Sequence, residues 1–149
     1  MKTPKKAPHI DSRNARTERY KKVLSDIAHA QVCPFCPESF KWHTKPILKR
    51  EGSWLITENF QPYPNAKYHF LLVGGKHKES LAELTAEDLK SVIKLTNWAT
   101  QEFDIKGGGL TMRFGETLYT GATVRHLHAH LIVPTVDNDQ VSPVYFPIG

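Results

Sequence analysis

The sequence predicts an α+β fold, in which a mainly antiparallel sheet carries one long helix and a second helix lies near the N-terminus. Segments with the alternating or continuous apolar patterns of strands lie before and after one long stretch of helical periodicity. Segments containing Gly and Pro separate them. Because strands grouped on either side of a helix are typical of α+β domains, we expect antiparallel pairing.

The N-terminal part is predicted to be a disordered basic arm over residues 1–11, which contain Lys, Pro and His with few apolar residues. Residues 12–149 are assigned to a single domain. Its first helix is predicted to begin at Asp11-Ser12, because apolar residues then recur at helical spacing as far as Ala30.

The next part of the chain predicts three strands. Residues 47–51 and 54–57 flank a Gly-containing turn and indicate a hairpin. Residues 59–65, which include two prolines, predict a loop. Residues 68–73 form an apolar run that is typical of a buried strand and ends at Gly74-Gly75.

The long helix is predicted to begin after Thr85, a good N-cap followed by acidic residues, and to continue to about Phe103. Three consecutive glycines at 107–109 separate it from a strand at 110–114. The histidine-rich segment that begins at His126 supplies the last strand of the sheet.

Length and composition indicate an ordinary globular domain. The chain has 149 residues, 40% hydrophobic and 23% charged. No apolar run approaches the ~20 residues of a membrane span. The basic N-terminus is not followed by the apolar stretch of a secretory signal. We therefore expect a soluble, cytoplasmic protein that does not act at a membrane.

The net charge of +5 is concentrated before Cys33. A basic arm can hold nucleic acid through phosphate charge, but such an arm is more often a solvated leader. A basic balance also suits an anionic nucleotide. Charge alone leaves these cases open, and nucleic acid is not the favoured partner.

Both cysteines lie in one Cys33-Pro34-Phe35-Cys36 motif. A single motif of this kind fits either a redox dithiol or half of a zinc site. A thioredoxin-like dithiol is expected on a strand-to-helix turn, whereas this motif follows a helix and precedes a polar segment. Histidines elsewhere could complete a tetrahedral site, which favours zinc.

The most informative segment is His126-Leu127-His128-Ala129-His130, followed by an apolar tail. Because side chains alternate along a strand, the three imidazoles are expected on one face of the sheet and Leu127 and Ala129 in the core. Histidine is readily tuned as nucleophile, acid, base or metal ligand near neutral pH. The middle position is the best placed nucleophile, because it has a histidine on either side.

This segment resembles the histidine triad superfamily pattern, in which three histidines alternate with apolar residues. The family contains nucleotide hydrolases and nucleotidyl transferases that form a covalent nucleotidyl-histidine intermediate on the middle histidine. Other segments in the same order are also similar, so that the resemblance covers roughly residues 33–134: Lys67 to His77, Asn59-Phe60-Gln61-Pro62-Tyr63 and Gly121-Ala122-Thr123.

The resemblance implies a five-stranded antiparallel sheet, usually in a homodimer, and a role for each matching residue. His128 would be the nucleophile, with His130 and Thr123 as the other catalytic groups. His130 and His69 would donate to phosphate oxygens. The remaining substrate contacts would come from Asn59, His69, Gly121 and Ala122, and Arg113 is added as a candidate at a position where the chain departs from the family.

The chain departs from the family pattern at several positions. Gly74-Gly75 replaces an apolar-Pro pair, and Thr135 follows Pro134 where Arg is frequent. Many relatives have Asn or Gln thirteen residues before the nucleophile, where this chain has Gly115. Either Arg113 or Glu116 replaces that phosphate contact, or the contact is lost in this chain. These departures affect the choice of substrate more than the chemistry.

Zinc-containing members of the family bind the metal with two cysteines, the histidine that ends the segment similar to Lys67 to His77, and the first triad histidine. The resemblance therefore implies a structural zinc ion held by Cys33, Cys36, His77 and His126. Four protein ligands would leave no open position for water.

The leading hypothesis is a hydrolase or nucleotidyl transferase acting on the α-phosphate of a dinucleoside polyphosphate, a phosphoramidate or an adenylylated adduct. A sugar-1-phosphate nucleotidyl transferase is disfavoured, because those relatives have Gln where His130 stands. The alternative from another class is a nucleotide- or RNA-binding module with weak or no catalysis.

Overall fold

The computed structural model describes residues 9–149. These residues form three α-helices and six strands, and each kind is numbered in chain order. Their bounds are α1 Glu18–Ala30, β1 Ile47–Glu51, β2 Trp54–Glu58, β3 Ala66–Gly74, α2 Ala86–Glu102, β4 Gly109–Met112, α3 Thr117–Thr120, β5 His128–Asp137 and β6 Gln140–Ser142.

The sheet is antiparallel and has the strand order β1-β2-β3-β5-β4, with the short β6 paired to the far end of β5. The predicted α+β class and the five-stranded sheet are confirmed, and β6 is an addition to them. The predicted hairpin and the buried third strand are also present, at β1–β2 and β3.

The main core lies between α2 and one face of the sheet. Trp54, Phe70, Leu95 and Ala129 are among its fully buried members. Thr85 caps α2 as predicted, since its side chain accepts a hydrogen bond from the Asp88 amide, and the helix ends before Phe103. One face of each strand is thereby buried, and the period-2 alternation sends the histidines to the opposite face.

The first helix begins later than predicted. The cause is Asp11, whose side chain accepts hydrogen bonds from the Arg13 amide and guanidinium and from the Thr117 hydroxyl. These contacts fix a 3-10 turn at Ser12–Asn14, and the chain is extended at Ala15 before Thr17 caps α1. The predicted start at Asp11-Ser12 was therefore wrong by about two turns.

The segment just before that turn is attached to the domain. Ile10 is buried, and it forms a β-bridge with Val124. The Asp11 amide donates to the Thr123 carbonyl at 2.8 Å. The predicted arm thus differs at residues 9–11, which pack on the domain, and the remainder of the arm, residues 1–8, lies outside the described residues.

Within residues 9–149, no helix has the length and apolar character needed to cross a membrane.

Candidate active site and metal site

The histidine-bearing face of the sheet encloses the candidate active site. In the pairing of β3 with β5, His130 lies opposite Leu71 and His128 opposite Val73. A cavity of about 310 Å³ opens here, and both imidazoles line it. Leu127, Ala129 and Leu131 are buried and alternate with the histidines, as the period-2 pattern predicts.

His128 has the form of a neutral nucleophile. Its Nδ1–H donates to the backbone carbonyl of His126 at 2.7 Å, so Nε2 carries the lone pair. Burial lowers the pKa of His128 to about 4, and the nearby Arg113 charge acts in the same direction. The imidazole is therefore uncharged at neutral pH, as nucleophilic attack requires.

His130 presents a donor rather than a lone pair, and two hydrogen bonds define its tautomer. The Tyr63 amide donates to His69 Nδ1 at 3.1 Å, so the proton of His69 is on Nε2. That Nε2–H donates to His130 Nδ1 at 2.8 Å. The His130 proton is therefore on Nε2, a buried atom without a partner among the described residues. Its donor can serve a ligand oxygen.

His69 thus lies behind His130, and it does not line the cavity. It was predicted to contact substrate, but in this structure it contacts His130, Tyr63 and the amide group of Asn59. Burial lowers the pKa of His69 to about 4 and that of His130 well below its usual value. The geometry makes His69 a positioning residue.

The predicted phosphate loop lines the cavity, but part of its donor capacity is already used. The Gly121 amide donates to the Thr117 carbonyl, and the Ala122 amide donates to the Thr120 hydroxyl. The Thr123 hydroxyl is hydrogen-bonded to the Tyr20 hydroxyl at 2.9 Å. When Tyr20 is the donor in that hydrogen bond, the Thr123 hydroxyl keeps its own proton for a phosphate oxygen. Of the three residues, Thr123 is therefore the one best placed to contact a phosphate.

Two further predicted substrate contacts, Asn59 and Arg113, also line the cavity. Gly115 stands outside it, and Glu116 is an exposed residue that precedes α3. Of the two candidates to replace the missing Asn or Gln, Arg113 is thus the one at the cavity. Its guanidinium donates to the Tyr63 hydroxyl at 3.2 Å and to the Pro147 carbonyl.

The four predicted zinc ligands converge at the end of the histidine row. Cys33 Sγ lies 3.4 Å from His126 Nδ1, and Cys36 Sγ lies 3.7 Å from it and 3.6 Å from His77 Nδ1. All four donor atoms are within 4.8 Å of one another. Zn–S and Zn–N bonds of ordinary length at tetrahedral angles place sulfur about 3.6 Å from nitrogen. The cluster is compatible with zinc.

The surroundings of the cluster also suit a metal. The Nε2–H of His126 donates to the Gly74 carbonyl at 2.5 Å, and the Nε2–H of His77 donates to Glu79 at 2.9 Å. Both rings therefore present Nδ1 to the cysteines, with an oriented second partner behind them. Burial raises the pKa of Cys33, and it raises that of Cys36 to about 12.

Sequence reasoning missed several residues of the cavity wall, and three of them contact the histidines or one another. Phe35, inside the cysteine motif, packs edge-on against His128 with ring centroids 4.9 Å apart. Tyr63 contacts both His69 and His130. Arg16 lies over the Tyr63 ring. None belongs to a spacing pattern, and only Tyr63 lies in a segment that the resemblance had identified.

The comparisons with known proteins agree with this geometry. A family model described as the C-terminal binding domain of scavenger mRNA decapping enzyme matches residues 32–142. A histidine triad family hydrolase from Clostridium thermocellum is 25% identical, with a TM-score of 0.55 over 71% of this chain and 92% of its own. No curated protein matches the sequence at a significant level.

Two other solved structures share the fold at lower identity. A Zn-bound histidine triad family protein from Mycobacterium smegmatis is 20% identical, with a TM-score of 0.56 over 79% of this chain and 85% of its own. A histidine triad nucleotide-binding protein from Candida albicans is 19% identical, with a TM-score of 0.58 and the same coverage. The extent of the family match and the arrangement of the histidines identify this chain as a member of the histidine triad superfamily.

Proposed function

We propose that this protein is a nucleotide hydrolase or nucleotidyl transferase that forms a covalent nucleotidyl intermediate on His128. Membership of the superfamily supports action on nucleotides at the family level. The observation that carries the specific proposal is the tautomer of His128, whose lone pair is on the cavity nitrogen while its Nδ1–H is held by the His126 carbonyl. Its neighbour His130 presents a donor to the same cavity.

In the first step, the His128 Nε2 lone pair forms a bond to the α-phosphorus, and the bond to the leaving group breaks with its electron pair. A phosphate leaves as an oxyanion, and the nitrogen of a phosphoramidate takes up a proton from solvent and leaves as the amine. The ring becomes a nucleotidyl-imidazolium, whose Nδ1–H remains on the His126 carbonyl. The Nε2–H of His130 and the Thr123 hydroxyl donate to non-bridging phosphate oxygens and stabilise the charge that develops there. Asn59 is proposed to contact the rest of the nucleotide, and Arg113 is proposed to contact a phosphate group.

In the second step, water or another acceptor attacks the same phosphorus. The P–N bond breaks, its electron pair returns to His128 Nε2, and the proton of the attacking group passes to solvent. When water is the acceptor, the product is a nucleoside monophosphate. Two displacements with low barriers replace one that is difficult.

We also propose that Cys33, Cys36, His77 and His126 hold one structural zinc ion. The bound metal would stabilise the fold, because four protein ligands leave no position for an activated water. The metal site is linked to the candidate active site by Phe35, which lies between Cys33 and Cys36 in the sequence and packs on His128. Metal binding would thereby keep that contact in place.

The resemblance to the superfamily further supports a homodimer as the working unit. Size-exclusion chromatography with light scattering tests this proposal.

The test of the function is a substrate panel run with the wild-type protein and with His128→Ala. The panel contains a dinucleoside polyphosphate, a nucleoside phosphoramidate, an adenylylated adduct and, because of the family match, a capped dinucleotide. His128→Ala should lose about 10³-fold or more in turnover while still binding a mononucleotide. Intact mass spectrometry of a rapidly quenched reaction should show the nucleotidyl adduct only in the wild type.

The matched control is His29→Ala, at an exposed histidine of α1. It should retain wild-type turnover. Near-normal turnover in His128→Ala would refute the proposed mechanism. Mononucleotide binding by a wild-type protein that turns over no member of the panel would favour the binding-module alternative.

A further inference from the structure

Two arginines stand at the mouth of the cavity and are joined by one tyrosine. Arg16 precedes α1, and its guanidinium lies 3.9 Å from the centroid of the Tyr63 ring. Arg113 follows β4, and it donates to the hydroxyl of the same tyrosine at 3.2 Å while lying 4.0 Å from the centroid of the Phe146 ring. Both line the cavity that contains His128 and His130.

Neither of these arginines is neutralised by a carboxylate among the described residues, and residues 1–8 contain no acidic residue. By contrast, Arg13 pairs with Asp11 at 2.6 Å, and Arg125 pairs with Glu79 at 3.1 Å. No Asp or Glu lines the cavity among the described residues, and Gly149, which also lines it, forms no ion pair with either arginine. The two positive charges that face the cavity are therefore available to an anionic ligand.

The donors of Arg16 are also largely free. The hydrogen bond found for its guanidinium among the described residues is a long one, to the Gln61 carbonyl at 3.4 Å. A guanidinium has five N–H donors in a planar fork that suits phosphate oxygens. The stack on Tyr63 holds that fork at the cavity edge while leaving its donors exposed.

The cavity has two walls of different chemistry, one on each side of the histidines. Phe35 packs against His128, and the same wall includes the apolar Leu71. On the other side, Tyr63 stacks with His130 at a centroid distance of 6.1 Å and carries the two arginines. Along the cavity, the aromatic wall with Phe35 is therefore followed by His128, then by the donor of His130, and then by the wall that contains Tyr63 and the two arginines.

We propose that Arg16 and Arg113, held by Tyr63, form a subsite for the phosphate groups beyond the scissile bond, so that the preferred substrates have a polyphosphate leaving group. This inference rests on the proposed function. When the P–O bond to the leaving group breaks, its electron pair departs on a phosphate oxygen. That oxygen needs no proton, because the additional negative charge is met by the two guanidiniums.

The direct test is calorimetric binding of inorganic tripolyphosphate to the full-length protein and to Arg16→Gln, Arg113→Gln and Arg19→Gln. Arg19 is the matched control, because it is an exposed arginine one helical turn away that does not line the cavity. Arg16→Gln and Arg113→Gln should each weaken binding about tenfold, the scale of one charge-assisted contact. Arg19→Gln should stay within about twofold, and added salt should reduce the difference.

A kinetic measurement gives the second readout. The ratio of kcat/KM for diadenosine tetraphosphate to that for an adenosine phosphoramidate should fall about tenfold in Arg16→Gln, and it should not change in Arg19→Gln. Equal tripolyphosphate binding by Arg16→Gln, Arg113→Gln and Arg19→Gln would overturn the subsite. A wild-type protein that turns over neither substrate would refute the proposed function, and tripolyphosphate binding would still decide the subsite.

Discussion

Two histidines separated by one residue, His126 and His128, have different proposed tasks, and the backbone around them orients their rings differently. The His126 Nε2–H donates to the Gly74 carbonyl, so its Nδ1 faces the two cysteines. The His128 Nδ1–H donates to the carbonyl of His126 itself, so its Nε2 is the free nitrogen. Burial lowers the pKa of both rings to about 4. Each is neutral, and they differ in which nitrogen has the lone pair.

Each end of the row also has a side chain that orients a second ring. At the end with the proposed zinc ligands, called the metal end, Glu79 accepts a hydrogen bond from His77. At the end with His128 and His130, called the catalytic end, His69 donates a hydrogen bond to His130. Under the proposed function, the task of each histidine therefore does not follow from residue type or burial, which His126 and His128 share. The decisive feature is the partner of the nitrogen that faces away from the site.

The largest expected effect comes from Cys36→Ser, which removes one proposed zinc ligand at the metal end and leaves the residues of the catalytic end unchanged. Zinc content should fall from one ion per chain to nearly none, and the free energy of unfolding should fall by something on the order of 5 kcal/mol, because metal binding is linked to folding. His128→Ala should keep its zinc and its stability while losing turnover. Elemental analysis and chemical denaturation of both variants provide the measurement. Equal zinc content in Cys36→Ser and the wild type would contradict the assigned ligands.

The next effect concerns pH and follows from the buried neutral histidines. Burial lowers the pKa of His69 from 6.5 to about 4, so below pH 6.5 the unfolded chain binds a proton that the folded chain does not. Stability should therefore be lost as pH falls from about 6.5 to about 4, by at most roughly 3 kcal/mol from this residue. Denaturation curves at several pH values, with His69→Gln as the comparison, should show a shallower loss in the variant. Identical slopes would contradict the assignment.

Features that depend on local interactions could be predicted from the sequence, whereas features that depend on contacts between distant residues could not. The alternation of His128, Ala129 and His130 is a local property of a strand, and it was predicted correctly, as was the Thr85 cap of α2. The start of α1 was not, because Asp11 is engaged by Thr117, more than a hundred residues away in the chain.

The finer features of the site were beyond local patterns for the same reason. The tautomer of His130 depends on the Tyr63 amide through His69, and that of His126 depends on the Gly74 carbonyl. Arg16 reaches the cavity because a short turn precedes α1, and no spacing in the sequence indicates that approach. The resemblance supplied the ligand and loop residues, but it could not show that the Ala122 amide is used within its own turn.

A smaller effect is expected when the orienting group at the catalytic end is changed. His69→Leu removes the donor to His130 Nδ1 and should lower kcat about 10- to 100-fold with little change in zinc content, since one hydrogen bond of a buried group is lost. His69→Gln retains an N–H in that region and should recover much of the loss. If Leu and Gln reduce kcat equally, the hydrogen bond to His130 is not what His69 contributes.

The smallest effect is expected at the matching position of the metal end. Glu79 accepts the Nε2–H of His77 and also contacts Arg125 at 3.1 Å, and it is not among the residues that line the cavity. Glu79→Gln keeps an oxygen acceptor but removes the negative charge, so zinc affinity should fall about tenfold, the lower end for partners of metal ligands. Turnover of zinc-loaded Glu79→Gln should stay close to that of the wild type, because the orientation of His128 depends on a backbone carbonyl. Competition with a chromophoric chelator measures the affinity, and the same preparation serves for turnover. A large loss of turnover at full zinc occupancy would show that the two ends are coupled more tightly than their separate hydrogen bonds indicate.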